Sequence, residues 1–426
     1  MAADKTIKVI DKILEWAVYS ILFAIPFSKS IVEIAVTAGI ILLVAKKVIL
    51  RDYRLPMTPA NIPLLFVFLT AVLSLYNSQF IGLSLRALFT KNLKFIALYF
   101  FVIEVINDET KIKNTLKVGM LSAGMVFLDS FIQYFITHID LLHNYPAFKY
   151  FNQYNYLSLE EAVEVKRFDR FHEYFIGYPT GPFPFPNDLS AWLLIILPVM
   201  LFLPIFDLVK NRSKYFILAS SFIGLYLFVL AKARGAWMGL IISLASLFFL
   251  IKNKAAVFTI LLLMFALILL CFATGAGVVF GLSSMKDRNE MWDVSFAIFK
   301  EHPVIGNGIN TFFNKYKELR TDGWEGLKGS YAHNCYLQWA ADTGILGLVS
   351  FLWFCVSVVG SAWAFIRKTK DEFYRALATG LAVGITAFLI HSFVDTNLYS
   401  LNLASLFWLS TGFLTAVIRK KEESSP

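Results

Sequence analysis

The chain has 426 residues, 58% of them hydrophobic and 16% charged, a balance that excludes a soluble globular domain and implies a polytopic membrane protein. The formal net charge of +9 raises nucleic acid as a partner, but the charges are placed along the chain in a way that argues against it. Cys271, Cys335 and Cys355 fall in predicted spans or at a membrane rim, so neither a disulfide framework nor a zinc site is indicated.

Taking ~17–25 apolar residues as one crossing, the sequence predicts an all-α fold of about 12 transmembrane helices. They form a single integral membrane domain over 1–426. Lys5, Lys8 and Lys12 precede the first span, 13–27, with no small-residue cleavage site after it. An anchoring span, not a cleaved signal peptide, is expected there. Spans at 31–44, 62–76 and 93–106 follow, and a fifth opens at Lys111, Lys113 and Lys117 and ends near Phe135. A long polar segment, 138–186, leads to spans at 189–206, 215–230 and 236–251 and a ninth that ends about Leu282. A second long segment, 283–335, carries short amphipathic helices, and the tenth span leaves it from about Tyr336. The last two lie near 377–394 and before Ile418.

Lys and Arg cluster at 46–54, 111–117, 210–214, 252–254 and 367–375 and after Ile418. With both termini in the cytoplasm, every one of these clusters falls inside, as the positive-inside rule requires. The positive charge is therefore mainly a topogenic signal, and no nucleic-acid partner is expected. Both long segments, the 232–234 link, Arg86 and the turn at Tyr399 fall outside, and all six histidines lie on or near that side. Any chemistry is expected there. No Gly-rich phosphate loop occurs on the inner side.

Five stretches on the outer side carry candidate chemistry. At 331–348 a polar loop arrives at His333 and an apolar helix leaves; a rim histidine with an unperturbed pKa near ~6.5 can exchange a proton, or can simply mark the interface. At 230–240, Lys232 and Arg234 sit where two apolar runs nearly touch, either as a phosphate-binding fork or as a snorkelling pair. Gly235 and Gly239 permit close helix packing there. An amphipathic helix is expected over 289–300, with Met291, Val294, Ala297 and Ile298 near one face, Pro303 as its stop, and Gly306 and Gly308 in a turn. Arg288 precedes it and Trp292 lies in its first turn; either Arg288 faces a bound anion, or the helix lies on the membrane with Arg288 solvated. The aromatic-rich stretch 145–178 suits sugar faces or the interface itself, and Asn187-Asp188 reads as a helix N-cap. His391 and Asp395 share a helix face; a hydrogen-bonded cap with Asn397 and Tyr399 is the expected reading, since two ligands are too few for a metal.

Taken together, Lys232-Ala-Arg234-Gly-Ala-Trp-Met-Gly, the run from Arg288 through Trp292 to His302-Pro-Val-Ile-Gly-Asn-Gly, and His333-Asn-Cys-Tyr-Leu-Gln before Gly344-Ile-Leu-Gly347 resemble the O-antigen ligase and polymerase superfamily. The 181–187 stretch and the His391–Asp395 pair fit the same pattern. The resemblance implies a GT-C-like membrane glycosyltransferase of the bacterial cell inner membrane with a periplasmic active site. Its donor would be an undecaprenyl-diphosphate-linked glycan and its acceptor lipid A–core, among membrane lipids, with no cofactor and no metal. It also implies that Arg234 and Arg288 match the family's essential arginines and His333 its essential histidine.

The implied chemistry is a single displacement. Arginines hold the diphosphate leaving group, and neutral His333 accepts the proton of the acceptor hydroxyl, which predicts inversion. Lys232 and Arg86 are further candidates for the diphosphate, and Asn334 and Trp292 for substrate contact. Ligase is the first expectation; an O-antigen polymerase and a protein O-oligosaccharyltransferase belong to the same superfamily. An anion or lipid-linked glycan transporter is the alternative of another class, disfavoured by the scarcity of polar residues at mid-span.

Overall fold

The computed structural model describes residues 2–137, 141–142, 179–205, 212–248, 282–319 and 331–423, with isolated positions 258, 262, 265, 266 and 269. The aromatic-rich stretch 145–178, most of the ninth expected span, Cys271 and the 252–254 cluster lie outside the described residues.

Among the described residues every regular element is helical. The first half holds α1 (Ala2–Ala24), α2 (Lys29–Leu50), α3 (Asn61–Ser74), α4 (Ile81–Ala87), α5 (Lys94–Val105) and α6 (Glu109–Ile132), with a π-helical turn, Leu88–Leu93, joining α4 to α5. The second half holds α7 (Pro186–Ile205), α8 (Arg212–Leu230), α9 (Arg234–Phe248), α10 (Leu282–Glu301), α11 (Phe312–Leu319), α12 (Cys335–Lys368), α13 (Glu372–His391) and α14 (Leu401–Glu423). The boundaries follow local chemistry. Ser28, Asp108 and Asp371 cap α2, α6 and α13 by accepting from N–H groups of the first turn, which satisfies donors that the helix itself leaves open.

Five described helices are long and apolar enough to cross a membrane: the one from Glu109, α7, α12, α13 and α14; α3 and α8 are shorter apolar helices. The all-helical membrane fold is as expected, whereas the described residues supply five such spans against about twelve read from the sequence. Two expected spans are short here. The run at 62–76 becomes the 14-residue α3. The run at 93–106 becomes the 12-residue α5, continuous through the π turn with α4, so Arg86 sits in a helix and not in a connecting loop.

One large core runs through the bundle, and α13 and α14 lie at its centre. Burial covers 94% of the most apolar window of α14 but only 39% of that of α12. A helix apolar on all sides must be enclosed, whereas one with a bare apolar flank faces lipid. α7 and α9 both pack along α13, α5 along α14, and α3 along α12.

The charges sort to opposite ends. At one end Lys46 pairs with Asp11, Lys47 with Glu104, and Lys421 with Asp371, while Lys113 lies over the Phe373 ring. The clusters at 46–54, 111–117 and 367–375 and the one after Ile418, expected to share a side, therefore meet in space through these contacts. At the other end lie the starts of α9 and α12, the end of α13 and the turn that follows it.

Candidate functional site

The start of α12 is fixed before any functional side chain is considered. Asn334 is its N-cap, with Oδ1 accepting from the N–H groups of Tyr336 and Leu337 at 3.0 Å each. Cys335 N–H donates to the Ser392 carbonyl at 2.9 Å, Cys335 Sγ lies 3.2 Å from the Asp395 carbonyl, and Tyr336 Oη donates to the Leu389 carbonyl at 2.7 Å. The first turn of α12 is thus bolted to the end of α13. His333, one residue before the cap, takes a left-handed backbone with φ of 46°, a conformation that β-carbon-bearing residues adopt at some cost and mainly where function or packing demands it.

That geometry aims His333 at Asp395. Its Nδ1 is buried, makes no hydrogen bond among the described residues, and stands 3.9 Å from Asp395 Oδ1. The side chain is nevertheless 37% exposed, so the accessible part of the ring is the edge away from Nδ1. A carboxylate behind one nitrogen and access at the other is the arrangement that orients an imidazole as a proton acceptor.

Asp395 is the hub of the site. Asn187 Nδ2 donates to its Oδ2 at 2.6 Å and Thr396 N–H to its Oδ1 at 2.7 Å; His391 Nε2 stands 3.8 Å from Oδ2. Burial alone would raise the carboxyl, but His333, His391 and the Thr396 N–H outweigh it and hold Asp395 below the usual carboxylate range. It is therefore an anion in the folded protein. Asp395 lies in the turn beyond α13 and joins four segments, so it is more than the local cap expected from sequence. Asn187 is one residue inside α7, which begins at Pro186, and its amide serves Asp395; the expected N-cap is not its role.

Arg234 reaches this centre through packing. The link between α8 and α9 spans only residues 231–233, with Lys232 in the left-handed region at φ 53°. A β-carbon on Gly235 would stand 2.2 Å from Val394 Cγ2 and 2.9 Å from His391 Nδ1, and one on Gly239 would stand 2.5 Å from the Ala387 carbonyl oxygen. The two glycines thus let α9 lie directly against the end of α13, as their spacing suggested, and they place the first residue of α9, Arg234, beside the His391 turn.

Arg288, on α10, is half-buried and close enough to His391 for their charges to interact. α10 begins at Leu282, earlier than the expected 289, and ends at Glu301 before Pro303. Its buried face is Met291, Ser295 and Ile298, with Val294 partly buried; Ala297 is exposed, contrary to expectation. Trp292 is half-buried, with an indole nitrogen lacking a partner among the described residues.

The loop after α10 is structural. Gly308 N–H donates to the Asp342 carbonyl at 3.0 Å, Ile345 N–H to the Pro303 carbonyl at 2.8 Å, and the Asp342 carboxylate accepts from the N–H groups of Asn310 and Phe312 at 3.1 Å each. This lock requires a break in α12 at Gly344, where φ is 68° and ψ −175°.

Of the residues singled out in the sequence, the structure gathers His333, Arg234, Arg288, His391 and Asp395 at one end of the bundle. Asn334 is there too, but its carboxamide oxygen is committed to the helix cap. Arg86 lies apart, on the wall of a cavity of about 720 Å³ bounded by α2, the α4–α5 run, α12 and α14. Lys91, which is not among the candidates the sequence offers, lines the same cavity.

Residues 219–352 match the family model for O-antigen ligase. The recognition drawn from the motifs, that of the O-antigen ligase and polymerase superfamily, holds over that stretch. It contains Arg234, Arg288 and His333, whereas Asp395, His391 and Arg86 lie outside it. The matched stretch is less than half of the chain. No curated protein matches the chain.

Proposed function

We propose that this protein is an O-antigen ligase: a membrane glycosyltransferase that moves a glycan from undecaprenyl diphosphate to lipid A–core. The observation that carries the reading is the convergence of His333 and Asp395 beside the helix starts that bring Arg234 and Arg288. The acceptor hydroxyl attacks the anomeric carbon while the bond from that carbon to the diphosphate oxygen breaks. The bonding pair leaves with the diphosphate, and the hydroxyl proton passes to His333. Anionic Asp395 stabilises the imidazolium that forms. Arg234 and Arg288 offset the charge that grows on the leaving diphosphate. One displacement inverts the anomeric centre, and no step in this sequence calls on a nucleotide or a metal ion.

The sorting of Lys and Arg to the opposite end supports a cytoplasmic position for both termini and a periplasmic position for the site in the inner membrane. A GT-C-like arrangement belongs to the same proposal. The test is transfer by the purified protein, supplied with undecaprenyl-diphosphate glycan and lipid A–core in the presence of EDTA. Glycosylated lipid A–core is the expected product. Longer glycan still on undecaprenyl diphosphate would make the enzyme a polymerase. No new bond with either acceptor, from folded protein, would move the reading to a protein acceptor and then to transport.

A further inference from the structure

The cavity that holds Arg86 reaches the turn that follows Asp395. Its wall includes Leu398 and Tyr399, in that turn, and the Tyr399 ring lies 6.1 Å from that of Tyr331, two residues before His333. The segments around His333 therefore adjoin two cationic regions, Arg234 with Arg288 toward His391 and Arg86 with Lys91 on the cavity that Tyr399 borders. A reaction that joins two anionic amphiphiles needs two such regions, and only one of them is used by a diphosphate leaving group.

The cavity is built for an anionic head on an apolar body. The Arg86 side chain makes no hydrogen bond or ion pair among the described residues, in a helix run where Lys94 pairs with Glu33. Lys91 donates to Asn310 Oδ1 at 2.5 Å, and its ammonium keeps further donors for a ligand. Burial pulls the Lys91 ammonium below its ordinary value, with Asp342 opposing, so an incoming anion would relieve the desolvation. Asn92 is only 6% exposed and is among the residues that bound the cavity, and its buried carboxamide oxygen has no partner among the described residues, which leaves an acceptor for a hydroxyl or amide donor. Lys91 and Asn92 lie in the π-helical turn, a distortion found mostly at functional positions. The wall also holds two carboxylates, Glu33 paired with Lys94 and Asp342 accepting from the Asn310 and Phe312 N–H groups; its apolar part includes Trp339 and Trp408, and its rim at Ile41 and Phe89 is 64% and 59% exposed toward the bundle surface, an opening through which acyl chains could remain in lipid.

We propose that this cavity receives the phosphate-bearing head of the acceptor lipid, with Arg86 and Lys91 on the phosphate and Asn92 on a head-group hydroxyl or amide. The inference rests on the transferase reading for the word acceptor. The pocket itself is tested by binding alone.

The test is equilibrium binding to the full chain in nanodiscs of zwitterionic lipid, with bisphosphorylated lipid A, enzymatically dephosphorylated lipid A, undecaprenyl diphosphate, phosphatidylglycerol and inorganic phosphate as probes. Arg86→Glu and Lys91→Gln are compared with the unaltered protein; Arg86 is exposed, so its variant is expected to fold even if the Lys91 variant does not. The expected result is a roughly ten- to hundredfold loss of lipid A affinity in the variants, the range for a lost charge-assisted hydrogen bond. Dephosphorylated lipid A should bind all proteins equally weakly, and undecaprenyl diphosphate should be unaffected. Unchanged lipid A binding in Arg86→Glu overturns the proposal. So does a matching loss for undecaprenyl diphosphate, which would assign the cavity to the donor. Displacement of lipid A by phosphatidylglycerol at equal concentration, or by millimolar inorganic phosphate, would make it a bulk-lipid or free-phosphate site and also overturns it. If the unaltered protein binds lipid A through Arg86 but transfers nothing, the transferase reading fails and the pocket stands.

Discussion

His333 can serve as a base only because Asp395 is held as an anion behind it, and that dependence is measurable. Asp395→Asn keeps the shape but removes the charge that stabilises the imidazolium. It should lower the transfer rate by about 10²-fold or more, within the usual range for general acid–base catalysis, while leaving donor binding intact. The same carboxylate makes a pH prediction. Its folded value lies below the ordinary range, so its contribution to stability is complete above the unfolded value of about 3.9 and is lost as the pH falls through the lower folded value. Thermal unfolding in detergent should therefore show a steeper loss of stability between pH 5 and 3, taken as about the window set by those values, in the unaltered protein than in Asp395→Asn. Parallel curves would remove Asp395 from the account. At this scale the sequence disclosed the donors of chemistry but not their partner. His333 and Arg234 stood out because a polar residue between two apolar runs has few other reasons to be there. Asp395 read as a local cap because its bonds to Asn187 and its approach to His333 come from distant segments, and no spacing encodes them.

At the scale of elements, two helix contacts position the site, and each depends on a missing side chain. α9 meets α13 through Gly235 and Gly239, and α12 breaks at Gly344 to receive the loop after α10. Gly344→Ala must place a β-carbon 2.2 Å from the Val304 carbonyl oxygen at a φ of 68°. It should cost roughly 2–4 kcal/mol from strain and overpacking together, read as a lowered unfolding midpoint in detergent. A midpoint within error of the unaltered protein would mean that the break is dispensable. The glycine pair on α9 was visible in the sequence because its spacing of four has a direct packing meaning. The break in α12 was not, because Gly344 sits in an apolar run whose composition is that of an ordinary span. The early start of α10 was missed for a similar reason: the 282–288 stretch is polar, so periodicity offered no face to detect.

For the whole molecule, the ordering of charge is the strongest link between sequence and architecture. Lys47, Lys113 and Lys421 were assigned one side from loop charge alone, and their pairs with Glu104, the Phe373 ring and Asp371 bring them to one end of the bundle. The count of spans was less legible, because hydropathy does not reveal that the run at 62–76 forms only the 14-residue α3 or that α5 continues through the π turn into α4. The orientation is testable with single cysteines in a background without native ones. A cysteine at 76, a position 88% exposed in the turn after α3, should react with an impermeant maleimide from the periplasm and one at 423 only after the inner membrane is opened; the reverse order would invert the topology and remove the periplasmic site.

The most direct test of the central claim is the rate of glycan transfer from undecaprenyl diphosphate to lipid A–core by His333→Ala, in protein shown to be folded and to bind the donor as the unaltered chain does. The account predicts donor binding without detectable transfer. Transfer at the unaltered rate would contradict it, because the account assigns the acceptor's proton to the one histidine that stands beside the buried Asp395 with part of its ring exposed.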